Sequence, residues 1–520
     1  MRGWSSCGLV LFAGVVGVAC ETPEVGSVRL RLELPASAAL DPLGPRLAAF
    51  GLTMTEPDGT LLVDTRAAAD DPGLLAFGDL PVSDALTVAM TAEDGTGRLL
   101  GFGRGTAPLA IRPHEAVELT VRMRRPLVYV GGAARLKSLD PTIDGADAAA
   151  WFVDVGDADV ESTPLAVATT PDGARVLIAH GSSLAVLLTT DHSVERELPL
   201  GPGARELAIS DDSNFALVAH GTGLTVVELA TGTARFFATD GPPSSPVARA
   251  GIGHALLDAG GESGASCTTN TKILTFELAS DETPSSAEVG ACAADLALDP
   301  ATGRAVLALP AANELRVVDA AAPETTGATI LSVAAPTTVA VTADGRVWAA
   351  GSRVTGMGDA AVAIVVLASA RVDGTDASMV ELPAAEQIAV LRNSIDLLVA
   401  PYEMRLPPLR ATASDLVVLP DGARVALVVT TTYNGKGVTF FDGFFETLLS
   451  PQYTASAGRL VLVDAPTGAR LAELRTRCEV TVPPGQGDPV LTPTCGTRAG
   501  ESVAGVAFTA HGLAPLFGAK

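Results

Sequence analysis

His180 and His220 each stand inside an Ala-His-Gly tripeptide, forty residues apart. Equivalent positions of neighbouring repeat units lie on one face, so two imidazoles there can bridge a metal or an anion. The plainer reading is a turn residue copied along with its repeat. Phe440, Phe441, Phe444 and Phe445, with Tyr453, gather aromatic rings in a chain that is only 4 % aromatic. Such a cluster reads as a partner-binding loop or as a small local core under an insertion. Six cysteines stand at 7, 20, 267, 292, 478 and 495. The chain has no His-Glu-x-x-His, Gly-x-Ser-x-Gly, P-loop or Cys-x-x-Cys, so no cofactor is implied. Gly95-x-Gly97-x-x-x-Gly101 lies between two expected strands with no helix N-terminus to hold a pyrophosphate, and reads as a hairpin turn.

These residues sit in a chain of 520 residues with 48 % hydrophobic and 18 % charged residues, enough apolar side chain for packed cores. It carries 35 Lys+Arg against 59 Asp+Glu, a formal charge of −24. With no basic run, it has no electrostatic footprint for a phosphate backbone, and nucleic acid is excluded as a partner.

The N-terminus reads as an address. Arg2 precedes an apolar stretch from Gly8 to Val18 that is too short to span a bilayer, and Gly17-Val18-Ala19-Cys20 follows. This resembles a bacterial lipoprotein signal, with residues 1–19 removed and residues 20–26 a tether. The resemblance implies a lipid on Cys20, a membrane as partner, and a place in the cell envelope. Glu21 after the acylated position points to the outer membrane, facing the periplasm or the cell surface. With Cys7 removed and Cys20 acylated, the oxidising compartment leaves Cys267, Cys292, Cys478 and Cys495, expected to pair as Cys267–Cys292 and Cys478–Cys495. Ala265-Ser266-Cys267-Thr268-Thr269-Asn270 resembles the catalytic cysteine segment of glyceraldehyde-3-phosphate dehydrogenases. That activity needs a dinucleotide-binding domain ahead of the cysteine, which the sequence does not supply, so Cys267 reads as a disulfide cysteine.

Residues 27–125 form a first domain. Val28-Arg29-Leu30-Arg31-Leu32-Glu33-Leu34 alternates with period two, as a half-buried strand does. Further strands are expected at 48–55, 60–64, 85–91, 98–103 and 115–123, separated by Pro57-Asp58-Gly59, Asp79-Leu80-Pro81 and Asp94-Gly95-Thr96-Gly97. About seven short strands predict an antiparallel β-sandwich. The run Phe77-Gly78-Asp79-Leu80-Pro81 before Leu86-Thr87-Val88 is similar to carboxypeptidase-regulatory-like and fibronectin-like modules.

From residue 126 to 520 one pattern returns at intervals near forty residues. Its clearest copy runs Leu165-Ala166-Val167-Ala168-Thr169-Thr170-Pro171-Asp172-Gly173-Ala174-Arg175-Val176-Leu177-Ile178-Ala179. Others begin at Glu206-Leu207-Ala208, Asp295-Leu296-Ala297, Thr338-Val339-Ala340 and Asp415-Leu416-Val417, and a last one runs from Val503 to Gly512. In each, an apolar strand reaches a tight turn that an Asp side chain caps and a Gly closes at positive φ, and a second apolar strand returns. Two more strands complete the unit. Four antiparallel strands per forty residues predict a β-propeller blade, stable only when neighbours cover it. Blades are expected at 163–200, 204–240, 247–290, 293–333, 336–383 and 386–477. Strands near 127–131 and 151–155 join the last copy to make a seventh, with six to eight blades as the range.

The pattern resembles the YVTN/lactonase-like, quinoprotein-like β-propellers of bacterial envelopes. It implies an all-β chain; since no lactonase-like site can be matched residue by residue, the function expected is non-catalytic binding or scaffolding, with an envelope protein or a small molecule as partner. The alternative it carries is a lactonase-like hydrolase with a metal held by acidic residues at the central channel.

Overall fold

In the computed structural model, residues 7–12, 15–20, 25–56, 60–70, 76–132, 135–141, 153–159, 164–257, 270–356, 361–385, 388–392, 402–436, 452–475, 479–481, 494–495 and 513–520 are described. The chain divides into two compact units, Met1–Pro35 with Asp41–Arg124, and Ala36–Leu40 with Arg125–Lys520. Apart from a four-residue helix, Pro323–Thr326, every regular element described is a strand. In the segment read as a leader, Cys7–Phe12 and Val15–Cys20 pair as a hairpin.

The described elements of the first unit are all strands. Its strands join in one eight-stranded sheet: Leu61–Ala68, Leu47–Thr55, Ser83–Asp94, Leu99–Gly105, Ala116–Arg124, Val25–Glu33 and Ala76–Pro81, with Leu109–Ile111 paired to Ser83–Asp94. The sheet is not wholly antiparallel, because Ala116–Arg124 runs parallel to Val25–Glu33. Period-two side chains from nearly the whole path meet in a single core. Val28, Leu30, Leu52, Met54, Leu86, Met90, Ile111, Val121 and Met123 are all buried there. Residues near both ends of the sheet share one core, so the sheet curls over on itself. The glycine run at 95–101 is the hairpin turn its sequence predicts. Asp94 accepts the N–H of Thr96 and of Arg98, and Gly97 has φ +82°.

The second unit is a seven-bladed β-propeller. Blade 2 is Pro164–Thr169, Arg175–His180, Ser183–Leu188 and Val194–Pro199; blade 3 is Ala204–Ile209, Phe215–His220, Gly223–Glu228 and Ala234–Ala238. Blade 4 spans Pro243–Arg249 to Ser285–Glu288, blade 5 Asp295–Leu298 to Ala328–Ser332, and blade 6 Pro336–Val341 to Ser378–Ala385. Blade 7 holds Pro408–Val418, Arg424–Lys436, Gln452–Asp464 and Arg470–Arg475, with Glu479–Thr481 added beside the third strand. Blade 1 closes the ring. Its inner strand, Leu513–Pro515, pairs with Val128–Gly132, followed outward by Arg135–Asp140 and Val153–Asp159.

The expected sixth blade at 386–477 is corrected in part. Ile388–Arg392 and Tyr402–Leu406 leave the ring and form a separate three-stranded sheet with Thr494–Cys495, so the blade starts at Pro408. A run of apolar and β-branched residues specifies a strand but not its partner, which is why the segment could not be assigned to a sheet from sequence.

The turns are made as their residues require. In blade 2, Thr170 accepts the Arg175 N–H at 2.9 Å, Asp172 accepts the Ala174 N–H at 3.0 Å, and Gly173 takes φ +67°. Blade 3 repeats this with Ser210 and Asp212, and Ser213 takes the left-handed position at φ +61°. Between blades the bonding is apolar. Leu177, Leu184 and Val186 of blade 2 bury with Leu207, Val218 and Val227 of blade 3, and comparable clusters join blades 3 to 4, 4 to 5, 5 to 6, 6 to 7 and 7 to 1. Each fully buried Val or Leu contributes roughly 1.5–3 kcal/mol relative to exposure. A lone blade forfeits that on both faces, and the closed ring recovers it on every one.

Candidate functional site

The inner strands of the seven blades face a central channel and share no backbone ladder with one another, so side chains must hold them together. One repeat position supplies much of that. Four residues ahead of the turn-opening residue, blades 3, 5 and 7 carry Glu206, Asp295 and Asp415, where blade 2 has Ala166 and blade 6 has Thr338. Each carboxylate accepts a backbone N–H of the next blade. Glu206 takes that of Ser245, Asp295 that of Val339 at 2.8 Å, and Asp415 that of Leu513 at 2.8 Å. Hydroxyls serve elsewhere: Thr337 donates to the Ala413 carbonyl at 2.7 Å and Thr169 to the Pro515 carbonyl at 2.7 Å. A charge-assisted hydrogen bond to a carboxylate is about twice as strong as a neutral one, which suits acids to this role.

The channel encloses a cavity of about 310 Å³. Its wall is mostly aliphatic, with Glu206, Asp211, Asp295, Asp415 and Lys520 as its charged residues. Residues 513–520 enter it as a short returning segment. Ala519 exchanges two backbone hydrogen bonds with Val418 of blade 7, and the Phe517 ring sits beneath the blade 2 turn at Gly173. Lys520 then reaches inward, its Nζ 2.6 Å from the Leu513 carbonyl, 3.4 Å from that of Val167 and 3.3 Å from Asp415 Oδ2. Asp415 is only 3 % exposed.

The two histidines occupy matching places, the last residue of Arg175–His180 and of Phe215–His220. Each has a side-chain neighbour within its own blade. His180 Nε2 is 3.2 Å from Glu197 Oε1, and His220 Nε2 is 2.9 Å from Thr225 Oγ1, its ring edge-on to Phe236. Burial pushes the His220 imidazole below its ordinary value. No group of three His, Cys, Asp or Glu that could hold a metal occurs among the described residues. Cys292 is half-buried, while Cys267 and Cys478 lie outside the described residues, as does the side chain of Cys20. Cys495 contributes its backbone to the strand paired with Ile388–Arg392. Phe440, Phe441, Phe444 and Phe445 lie outside the described residues, as does the repeat copy at 503–512.

No family model matches the sequence, and no curated protein does. Among solved structures, the dihydro-heme d1 dehydrogenase NirN aligns at 13 % identity over 68 % of this chain and 73 % of its own, with a TM-score of 0.36. The β-propeller domain of Myceliophteria thermophila Cps50 (Swd1) aligns at 10 % identity over 60 % and 85 %, with a TM-score of 0.38. A chain of the nidogen/laminin complex aligns at 11 % identity over 49 % and 92 %, with a TM-score of 0.32.

Sequence reasoning missed the carboxylate position and Lys520. A signal was present: Glu206, Asp295 and Asp415 each stand directly before a Leu in the same register of the repeat. Read one copy at a time each is a surface acid; read in register they form a ring around the channel.

Proposed function

We propose that this is an exported envelope protein, anchored by a lipid on Cys20, whose propeller is a non-catalytic binding or scaffolding module. The export and anchor readings rest on Arg2, the apolar stretch Gly8–Val18 and the small residues before Cys20. Pairing Cys267 with Cys292 and Cys478 with Cys495 belongs to the same reading. The single observation that supports binding over catalysis is the use of the channel acids. Glu206, Asp295 and Asp415 are each tied to the next blade's backbone, so they act as part of the frame. The lactonase-like alternative would need those same carboxylates to hold a metal.

Two measurements test this. Radioactive palmitate should label the wild type and not Cys20→Ser, and an unlabelled wild type overturns the anchor. Affinity purification from detergent-solubilised envelope should recover a stoichiometric partner. Turnover of a lactone panel that Asp295→Asn abolishes, in a protein that still folds, overturns the non-catalytic reading.

A further inference from the structure

We propose that the propeller channel is a binding site for primary alkylammonium groups, and that Lys520 of this same chain fills it as an internal occupant. The inference deepens the binding reading and rests on it. Three acceptors converge on the Lys520 ammonium: the Leu513 and Val167 carbonyls and the Asp415 carboxylate. They come from blades 1, 2 and 7, so the pocket for the charge exists only in the closed ring. An ammonium carries N–H donors and no acceptor, which suits it to these carbonyl and carboxylate oxygens. Nζ lies 2.6 Å, 3.4 Å and 3.3 Å from these oxygens, within reach of hydrogen bonds and an ion pair.

The surroundings point to the same chemistry. Glu206, Asp211 and Asp295 line the cavity with Asp415; held by backbone N–H groups they stay part of the frame, and their fixed negative charge favours a cation. Four carboxylates against one ammonium disfavour an anion here. The aliphatic wall, including Leu207, Val247, Leu296 and Leu416, suits a hydrocarbon stem, and about 310 Å³ lies at the lower end of small-molecule pockets. Lys520 is an occupant that can leave. Its side chain is 28 % exposed, and a free amine that replaces it must offset its own lost translational and rotational freedom, so it competes only at raised concentration. The ligand class this fits is a linear primary amine with a stem of four or five carbons, the length of the Lys520 side chain itself.

The test is rescue of a vacated site. Lys520→Ala should lower the unfolding temperature, and n-butylammonium at neutral pH should restore about half of the loss or more, as binding to the folded state requires. Isosteric n-butanol and tetramethylammonium, which lacks N–H donors, should not. The double variant Asp415→Asn with Lys520→Ala should be insensitive to the amine. No recovery in Lys520→Ala, equal recovery in the double variant, or a response to calcium in place of the amine would each overturn the proposal. If Lys520→Ala does not fold, the wild type decides. The chain has four lysines, at 137, 272, 436 and 520, so isotope-labelled lysine gives four side-chain resonances. Titrated 1,5-diaminopentane should move that of Lys520 toward its solvent-exposed position and leave the other three in place. An unmoved Lys520 resonance overturns the amine site, and a partner still captured from the envelope then leaves the broader binding reading standing.

Discussion

Blade 3 and blade 1 contain the same four strands and differ in where the chain finds them. Blade 3 takes Ala204–Ala238 in order, and its first and third turns are capped on the backbone by the Ser210, Asp212 and Thr231 side chains. Blade 1 sets Leu513–Pro515 against Val128–Gly132, from opposite ends of the propeller segment. Local turn chemistry writes the first and has no hold on the second. Loop-closure entropy still permits it, since each doubling of the loop adds only about 0.6 kcal/mol. What must be supplied is side-chain complementarity, and blade 1 has it. Val128, Val130 and Leu513 bury with Val417, Val428 and Leu460 of blade 7. Tyr129, wholly buried, meets His192 of blade 2 with its hydroxyl 3.2 Å from Nε2.

The sharpest way to break this contrast is to charge the closing strand. Val130 is 1 % exposed and opposite Leu513, so Val130→Asp buries an unpaired carboxylate and should cost more than about 4 kcal/mol in urea unfolding. Ala234→Asp, on the exposed outer strand of blade 3, should change stability by less than about 0.5 kcal/mol. A Val130→Asp protein within 1 kcal/mol of wild type would mean that the ring does not depend on its closing strand.

A smaller effect separates turn chemistry from packing. Gly173 and Gly422 hold the same turn position at φ +67° and +63°. A Cβ at Gly422 meets no heavy atom within 4 Å, whereas one at Gly173 would run into the Phe517 ring. Both alanine variants bear the left-handed backbone cost of about 1–2 kcal/mol. Gly173→Ala adds an overpacking cost and should reach about 3 kcal/mol in all. Equal losses in the two variants, measured by thermal unfolding, would show that residues 513–520 are not anchored under blade 2.

The same contrast explains what could be read in advance. Blades 2 and 3 were legible to within a few residues because Asp172-Gly173 and Asp212-Ser213 fix a turn from four adjacent residues. Seven blades follow once those turns are counted and both ends are allowed to share one sheet. The N-terminal strands were legible by alternation, but the parallel match of Ala116–Arg124 to Val25–Glu33 was not, since period two specifies a face and not a neighbour. Ile388–Arg392 failed for the same reason. The histidines were placed in the correct register, yet which way an imidazole turns depends on Glu197 and Thr225, residues of other strands. Lys520 was invisible because nothing near it in sequence tells a lysine to enter a channel built by residues hundreds of positions earlier.

Blade 4 offers the finest cut, because its turn and its packing respond differently to acid. His254 sits inside Ile252–Leu257, 8 % exposed, with Nδ1 2.9 Å from Thr275 Oγ1. Burial drives its imidazole down to about 4, and Asp319 opposes that only in part. The unfolded chain binds the proton near pH 6.5, well before the folded blade does. The stabilisation is therefore complete above pH 6.5 and is lost as the pH falls from there toward 4. Between pH 7 and pH 5 this amounts to about 2 kcal/mol. His254→Gln, which cannot protonate, should remove that part of the acid sensitivity while the carboxylates contribute alike to both proteins. The check is the difference between the two denaturation midpoints at each pH. If that difference stays constant from pH 7 to 5, the imidazole is not desolvated between the second and third strands of blade 4. If it closes steadily, the dry interior between strands is real there, and acid enters the ring through a packed strand rather than through its turns.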